Sequence, residues 1–116
     1  MSHDNVFLED CPARTTLELI ADTWSVVVIA ALGQGHARFT ELREAIGGIS
    51  KKMLAQTLRK LERNGLVDRD ESATYRLTAL GESLLEPVRV LAGWAEENAD
   101  EIVLAQDRQL AAVTAR

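Results

Sequence analysis

The segment SKKMLAQTLRKLERNG, residues 50–65, restricts the fold of this chain more than any other. On a helical wheel its apolar residues fall within a narrow arc, at Leu54, Leu58 and Leu61. The opposite side carries long polar side chains, Lys52, Gln56, Arg59 and Arg63, with Lys60 at its edge. Serine is a favoured N-cap, and glycine commonly follows a helix. The segment therefore predicts a helix from Lys51 to about residue 64, with one packing face and one basic face.

The flanking stretches predict a helix before this segment and a hairpin after it. Thr40 can cap a short helix that has Leu42, Ala45 and Ile46 inward, and Gly47 and Gly48 end it. Two β-prone stretches, residues 66–70 and 74–78, follow Gly65 and are joined by residues 71–73. The combination of two helices, a glycine turn and a two-stranded hairpin is typical of a winged helix-turn-helix.

Three further helices complete the prediction. Pro12 suits the first position of an N-terminal helix. Asp22 or Thr23 can cap a second helix, whose apolar stripe is Trp24, Val27, Val28, Ala31 and Leu32. Thr78 can cap a long final helix with the stripe Leu80, Leu84, Val88, Leu91, Trp94 and Ala95, which Ile102 extends. Pro87 should kink or break that helix. The predicted fold class is mainly α with a small β-hairpin.

Charge is distributed unevenly along the chain. The net charge is −5, yet residues 38–76 hold nine Lys/Arg against six Asp/Glu, a local balance of +3. Such asymmetry indicates a local nucleic-acid face on an acidic body, although basic residues on a helix also serve solubility. The predicted DNA-facing residues are Ser50, Lys51, Lys52, Gln56, Arg59, Lys60 and Arg63. Arg69 and Arg76 in the hairpin, and Arg38, are candidates for contacts to the DNA backbone.

Several other functions find no support in the sequence. It has no Gly-rich phosphate loop and no Ser/His/Asp arrangement, so we expect neither an enzyme nor a cofactor. His3, His36 and Cys11 lack the spacing of metal ligands. The longest apolar run, residues 26–32, is too short to cross a bilayer, and the first ten residues lack a secretory apolar region. We therefore expect a cytoplasmic protein without a membrane partner.

Three segments resemble a known family. CPARTTLELIADTW, RFTELREAIGGISKKMLAQTLRKLERNGLVDR and YRLTALGESL are similar, in order and spacing, to the HxlR-type branch of MarR-like winged-helix transcription regulators. The resemblance covers about residues 11–94 of a single domain spanning 1–116, with 95–116 as a C-terminal helical extension. It implies a regulator, more often a repressor, that binds a pseudo-palindromic operator in double-stranded DNA.

The resemblance also implies a homodimer built by the first and last helices. One small domain with a long apolar helix favours a twofold pair for its own reasons, and the predicted interface residues are Leu17, Leu84, Leu91 and Trp94. The same stripe could instead pack within one chain. The wing, residues 70–74 between the two strands, is shorter than is usual in the family and is acidic at Asp70 and Glu71. We therefore expect the basic helix, residues 51–64, to supply more of the DNA affinity than the wing does.

Cys11, the one cysteine, matches the position where some family members sense oxidants or electrophiles. The start of a helix and the nearby Arg14 favour a thiolate, whereas Glu9 and Asp10 disfavour it, so inert packing and a reactive thiol both stay open. A small-molecule or electrophile effector is the corresponding partner. The alternative function is a winged-helix adaptor that binds an acidic protein and has no sequence-specific DNA binding.

Overall fold

The computed structural model describes residues 5–115, which form six helices and one two-stranded sheet. The elements in chain order are α1 (Pro12–Ile20), α2 (Thr23–Gly33), α3 (Phe39–Ala45), α4 (Lys51–Arg63), β1 (Val67–Arg69), β2 (Tyr75–Leu77), α5 (Ala79–Ser83) and α6 (Leu85–Thr114). The predicted fold class is confirmed. The described chain divides into two compact units, one ending at Leu85 and one beginning at Glu86. Residue 95, the predicted start of the C-terminal extension, lies inside α6.

The core of the first unit is built around α2 and α4. Its fully buried large side chains are Val28, Ile29, Leu42, Leu54, Leu58, Leu61 and Val67. The segment TWSVVVIAALG is apolar nearly all round, which is typical of a helix covered on most sides. The buried side of α2 includes Ser25 and Ile29, whereas Trp24 and Val27 from the predicted stripe are only half-buried. Burial of apolar surface at these positions stabilises the unit.

Three predicted helix caps are present. The Asp22 carboxylate accepts a hydrogen bond from the backbone N–H of Ser25 at 2.9 Å. Ser50 Oγ accepts from the N–H of Met53 at 3.0 Å, and Thr78 Oγ1 accepts from the N–H of Gly81 at 3.1 Å. Each bond satisfies a donor that the first turn of a helix leaves without an intrahelical partner.

The predicted start of α3 was wrong. Thr40 lies inside the helix, which begins at Phe39 with Arg38 as its N-cap. The Glu41 carboxylate reaches back and accepts from the N–H groups of Arg38 at 2.8 Å and Ala37 at 3.2 Å. These bonds satisfy N–H groups at the start of the helix, which begins before the position where a Thr40 cap would place it. The inward position of Ala45 was also wrong, because its side chain is exposed; Leu42 and Ile46 are buried as predicted.

The hairpin is antiparallel, with Val67 opposite Leu77 and Arg69 opposite Tyr75. Each strand is one residue shorter at both ends than predicted. The hairpin is also joined to the segment before α3, because the N–H of Tyr75 donates to the carbonyl oxygen of Ala37 at 2.8 Å. An isolated bridge links Arg38 with Thr74. The wing therefore starts from a backbone that is held on two sides.

Pro87 interrupts the last helical segment, as predicted. The helix that begins after Thr78 stops at Ser83, and α6 starts at Leu85. Proline lacks the N–H that would bind the carbonyl oxygen four residues earlier, here that of Ser83, and its ring clashes with that carbonyl. In α6, Val88 is buried, whereas Leu91, Trp94 and Ile102 are exposed. Between residues 5 and 115 no single helix has both the length and the apolarity to cross a membrane; α1 and α2 reach both only as a pair, bent by 74°.

Candidate nucleic-acid interface

The two faces of α4 are separated as the sequence predicted. Leu54, Thr57, Leu58 and Leu61 are buried, and the Thr57 hydroxyl donates to the carbonyl oxygen of Met53 at 2.8 Å. The predicted contact residues that are exposed on this helix are Lys51, Lys52, Gln56, Arg59 and Arg63. The helix therefore carries an exposed face rich in hydrogen-bond donors while its other face fills the core.

The start of α4 is also exposed. Gly48 has a φ of +84°, a conformation that glycine adopts without strain, and it turns the chain between α3 and α4. Ile49 is buried and anchors this turn, and the exposed Ser50 caps the helix. The Ser50 hydroxyl accepts from Met53 and keeps its own proton for a further acceptor. A phosphate at this position would also meet the positive end of the helix dipole.

Lys60 departs from the predicted DNA-facing set. Its ammonium group binds the carboxylate of Asp22, with Nζ 2.6 Å from Oδ2, and the carbonyl oxygen of Leu19 at 2.9 Å. The side chain is half-buried, with 26% of its surface exposed. Two of the three N–H donors of this ammonium group are thus engaged within its own chain. Contact between Lys60 and a phosphate stays a prediction, and Lys60 differs in its surroundings from the exposed residues of the set.

Asp22 joins this ion pair to a helix cap. Burial alone would raise the pKa of Asp22, but the hydrogen bond from Lys60 and those from the N–H and hydroxyl of Ser25 hold it below its ordinary value. The hydroxyl of Ser25 donates to Oδ2 at 2.8 Å. Since a lowered pKa reflects a carboxylate stabilised by its donors, Asp22 is ionised near neutral pH.

The three predicted contact arginines outside α4, namely Arg38, Arg69 and Arg76, are all exposed. The Arg69 guanidinium lies 5.8 Å from the centre of the Tyr75 ring, within the range of a cation–π contact. Arg76 stands opposite the acidic Asp68 across the hairpin. Arg38 is held through its backbone at the start of α3. Each side chain can reach solvent, so contact with the DNA backbone stays a prediction for all three.

The tip of the hairpin is organised by one acidic side chain. The Asp70 carboxylate accepts from the N–H groups of Thr74 at 3.0 Å and Ser72 at 2.9 Å, and from the Ser72 hydroxyl at 2.8 Å. These donors, the Thr74 amide first, lower the pKa of Asp70. Ala73 takes a φ of +59° in the same turn. The short wing is thus well ordered, and it places negative charge at its tip.

Cys11 is the N-cap residue of α1 and is 5% exposed. Its Sγ accepts a hydrogen bond from the backbone N–H of Asn5 at 3.0 Å. Arg14, which the sequence places near the thiol, is engaged elsewhere, with Glu18 at 3.6 Å and with the carbonyl oxygen of Phe7 at 3.5 Å. The segment before α1 therefore covers the thiol. His3 lies outside the described residues.

The predicted dimer residues differ in exposure. Leu17 on α1 is 49% exposed, and on α6 Leu91 and Trp94 are 57% and 56% exposed. Leu84 is half-buried at the break between α5 and α6. Large apolar side chains this exposed leave surface that a second chain could cover.

The contacts of Lys60 and Cys11 were missed by sequence reasoning because their partners are not recognisable from local spacing. Lys60 reaches groups 38 and 41 residues earlier in the chain. Asn5 contacts Cys11 through a backbone N–H, a group that every residue except proline carries. The only sequence signal for Lys60 was its position at the edge of the basic face.

Comparison with known proteins places this geometry in context. Residues 19–103 match the family described as HxlR-like helix-turn-helix. The chain is 39% identical over 117 residues to the uncharacterised HTH-type transcriptional regulator YtfH of Escherichia coli K12, covering 96% of this chain and 93% of that protein.

Solved structures agree with this match. A YtfH regulator from Salmonella typhimurium has a TM-score of 0.79 at 37% identity, over 90% of this chain and 99% of its own. The quinone-bound YodB of Bacillus subtilis has a TM-score of 0.65 at 35% identity, over 75% and 98%. The redox regulator HypR in its reduced form has a TM-score of 0.68 at 31% identity, over 78% and 96%.

Proposed function

Because the chain belongs to the HxlR-like helix-turn-helix family of transcription regulators, we propose that it binds operator DNA through α4 as a homodimer and represses transcription. Its family and relatives are transcription regulators, not enzymes. The observation that carries the DNA-binding proposal is the exposed face of α4, opposite the buried leucines. An α-helix fits the major groove of B-DNA, where such a face meets base edges and phosphates.

Different side chains of this face take different roles. Gln56 and Arg59 project from the middle of α4 and suit direct readout, because glutamine can pair with adenine and arginine with guanine. Lys51, Lys52, Arg63 and the Ser50 hydroxyl suit phosphates, which fix the position of the helix but carry no sequence information. Arg38, Arg69 and Arg76 join them as candidate phosphate contacts. As a regulator that binds operator DNA, the protein would act in the cytoplasm.

The exposed apolar residues of α1 and α6 support the homodimer. Leu17, Leu91 and Trp94, with the half-buried Leu84, would lie in the interface between two copies. A twofold dimer presents two copies of α4 and therefore matches a pseudo-palindromic operator.

Regulation through Cys11 is part of the proposal. YodB has been solved bound to a quinone and after diamide treatment, and HypR in reduced and oxidised forms. In this chain, Cys11 occupies the N-cap position of the helix that carries Leu17. Modification of a buried thiol there would displace the start of α1 and so disturb the dimer and its two copies of α4.

A footprint on DNA flanking the protein's own gene tests the proposal, followed by titration of the protected fragment at several salt concentrations. We expect two protected half-sites about one helical turn apart. Gln56→Ala and Arg59→Ala should change the preference among operator variants. Lys52→Ala should weaken binding to all of them and reduce the magnitude of the salt slope by about one.

Two results would reject the DNA-binding proposal. One is the absence of a footprint under conditions where the protein is folded and dimeric. The other is an unchanged footprint in the triple variant Lys52→Ala, Gln56→Ala and Arg59→Ala. Binding of an acidic protein without sequence-specific DNA binding would support the adaptor function instead.

A further inference from the structure

Three helices of the first unit meet at the ammonium group of Lys60. This group lies near the end of α4 and binds the carbonyl oxygen of Leu19 at 2.9 Å. Leu19 belongs to the last turn of α1, where carbonyl groups lack intrahelical partners and carry partial negative charge. The same ammonium group binds Asp22, the N-cap residue of α2. One side chain therefore joins the end of α1 and the start of α2 to α4.

The carboxylate of Asp22, one partner of Lys60, is fixed by bonds of its own. Oδ1 of Asp22 accepts the N–H of Ser25, whose hydroxyl donates to Oδ2, and Ser25 is fully buried. The backbone of Lys60 is held as well, because the Asn64 side-chain amide donates to its carbonyl oxygen at 2.7 Å. The ion pair thus connects a fixed carboxylate to a hydrogen-bonded backbone position of α4.

The position of Lys60 on the circumference of α4 allows its hydrogen bonds to oppose rotation of this helix about its axis. The residue lies between the buried leucines of α4 and its exposed basic face. Contacts among leucines are non-directional and permit small rotations of a helix about its axis. Hydrogen bonds depend on angle as well as distance, so they oppose such rotation. A rotation of α4 would displace the ends of Gln56 and Arg59, its longest readout side chains.

We propose that Lys60 is a positioning residue that sets the orientation of α4 through Leu19 and Asp22 and so determines operator affinity without contacting DNA. This inference rests on the proposed function for its effect on DNA. The contacts of Lys60 themselves can be tested without DNA.

The test compares Lys60→Met with Lys52→Met, the same substitution at the half-buried edge and on the exposed face of one helix. In titrations corrected for the active fraction, Lys60→Met should lower operator affinity by about tenfold, the lower end of what one charge-assisted hydrogen bond can supply. Its salt slope should equal that of the parent. Lys52→Met should reduce the magnitude of the slope by about 0.9, since it removes a phosphate contact.

Two further variants separate positioning from general stability. Lys60→Arg keeps the charge and the donors, and it should restore most of the affinity. Asp22→Asn keeps an N-cap acceptor for Ser25 but removes the negative charge, and it should lower affinity in the same direction as Lys60→Met. Changes to folding alone would alter the melting temperature but not the affinity of the active fraction.

Amide hydrogen exchange provides the measurement that does not need DNA. Lys60→Met should increase exchange in the last turns of α1 and α4, whereas Lys52→Met should leave both unchanged. Unaltered exchange in Lys60→Met would overturn the inference, as would an unaltered operator affinity. A salt slope reduced by about one would also overturn it, because Lys60 would then contact a phosphate. If the parent fails to bind DNA, the proposed function fails, and exchange alone decides whether Lys60 orients α4.

Discussion

Gly81 lies where α5 passes close to the hairpin. A Cβ atom added at this residue would collide with the carbonyl oxygen of Leu66, which accepts the N–H of Thr78 at 3.1 Å. Gly81→Ala must therefore move α5 or break that bond, and we expect a loss of about 1–3 kcal/mol in the free energy of unfolding. Urea and thermal unfolding at equal protein concentration measure this loss.

Gly47→Ala is the matched control for Gly81→Ala. A Cβ atom at Gly47 meets no other atom within 4 Å, and its backbone is outside the left-handed region. This substitution should change stability by no more than about 0.5 kcal/mol. Equal unfolding curves for the two variants would contradict the close approach of α5 to Leu66.

The burial of Cys11 predicts slow reaction of its thiol. Since the side chain is 5% exposed and covered by the segment that contains Asn5, a thiol reagent must wait for local opening. We expect Cys11 in the folded protein to react roughly a hundredfold more slowly than in urea, which corresponds to an opening free energy of about 3 kcal/mol. The release of thionitrobenzoate measures both rates.

Variants at Asn5 test the cause of this protection. Asn5→Pro removes the N–H that donates to Sγ and should accelerate the reaction, whereas Asn5→Ala keeps that N–H and should react more like the parent. Equal rates in native and unfolded protein would show that the segment does not protect the thiol. Cys11→Ser is the control that assigns the signal to Cys11, because a protein without a thiol should release no thionitrobenzoate.

At the scale of elements, the wing is a short, ordered turn with acidic residues at its tip. The Asp70 carboxylate is bound by three donors, whereas Glu71 is exposed and its charge faces solvent. Glu71→Lys should therefore strengthen binding to DNA of any sequence and increase the magnitude of the salt slope by up to about one. Anisotropy titrations with operator and unrelated duplexes measure both effects.

The neutral variant Glu71→Gln gives the control for this prediction. An electrostatic effect should scale with the charge removed, so its affinity should fall between those of the parent and Glu71→Lys. Equal affinity in all three proteins would place the tip of the wing far from the DNA. Weaker binding in Glu71→Lys would contradict repulsion between the wing and phosphates.

The elements that sequence reasoning predicted well depend on local chemistry. Ser50 caps α4 and Asp22 caps α2 through bonds that span three residues, and Pro87 breaks a helix by its own geometry. The predicted start of α3 at Thr40 was wrong because the Glu41 side chain supports an earlier start, with Arg38 as the N-cap residue. The contacts of Lys60 could not be predicted, because its partners come close only after the chain has folded. The contact of Cys11 could not be predicted either, because its donor is a backbone N–H, which leaves no signal in the sequence.

At the scale of the whole molecule, exposed apolar surface on both units favours association. Leu17, Leu91 and Trp94 each expose about half of their side chains or more, which makes surface available for burial against another chain. A small chain also buries a smaller fraction of its surface than a large one, so a dimer adds stability that the monomer lacks. DNA binding and stability would then depend on the same interface.

Charge introduced on α6 tests this dependence. Leu91→Glu with Trp94→Glu would place two carboxylates in the interface, where burial of unpaired charge is costly. We expect a monomer by sedimentation velocity and an operator affinity reduced by ~100-fold or more. In a monomer, binding at one half-site no longer keeps a second copy of α4 close to the other half-site. Val113→Glu is the control: this residue is 67% exposed on the same helix but lies beyond the part that matches the family. If both proteins stay dimeric, the interface lies elsewhere; if only Val113→Glu is monomeric, the end of α6 forms the dimer, and the residues predicted from the sequence do not.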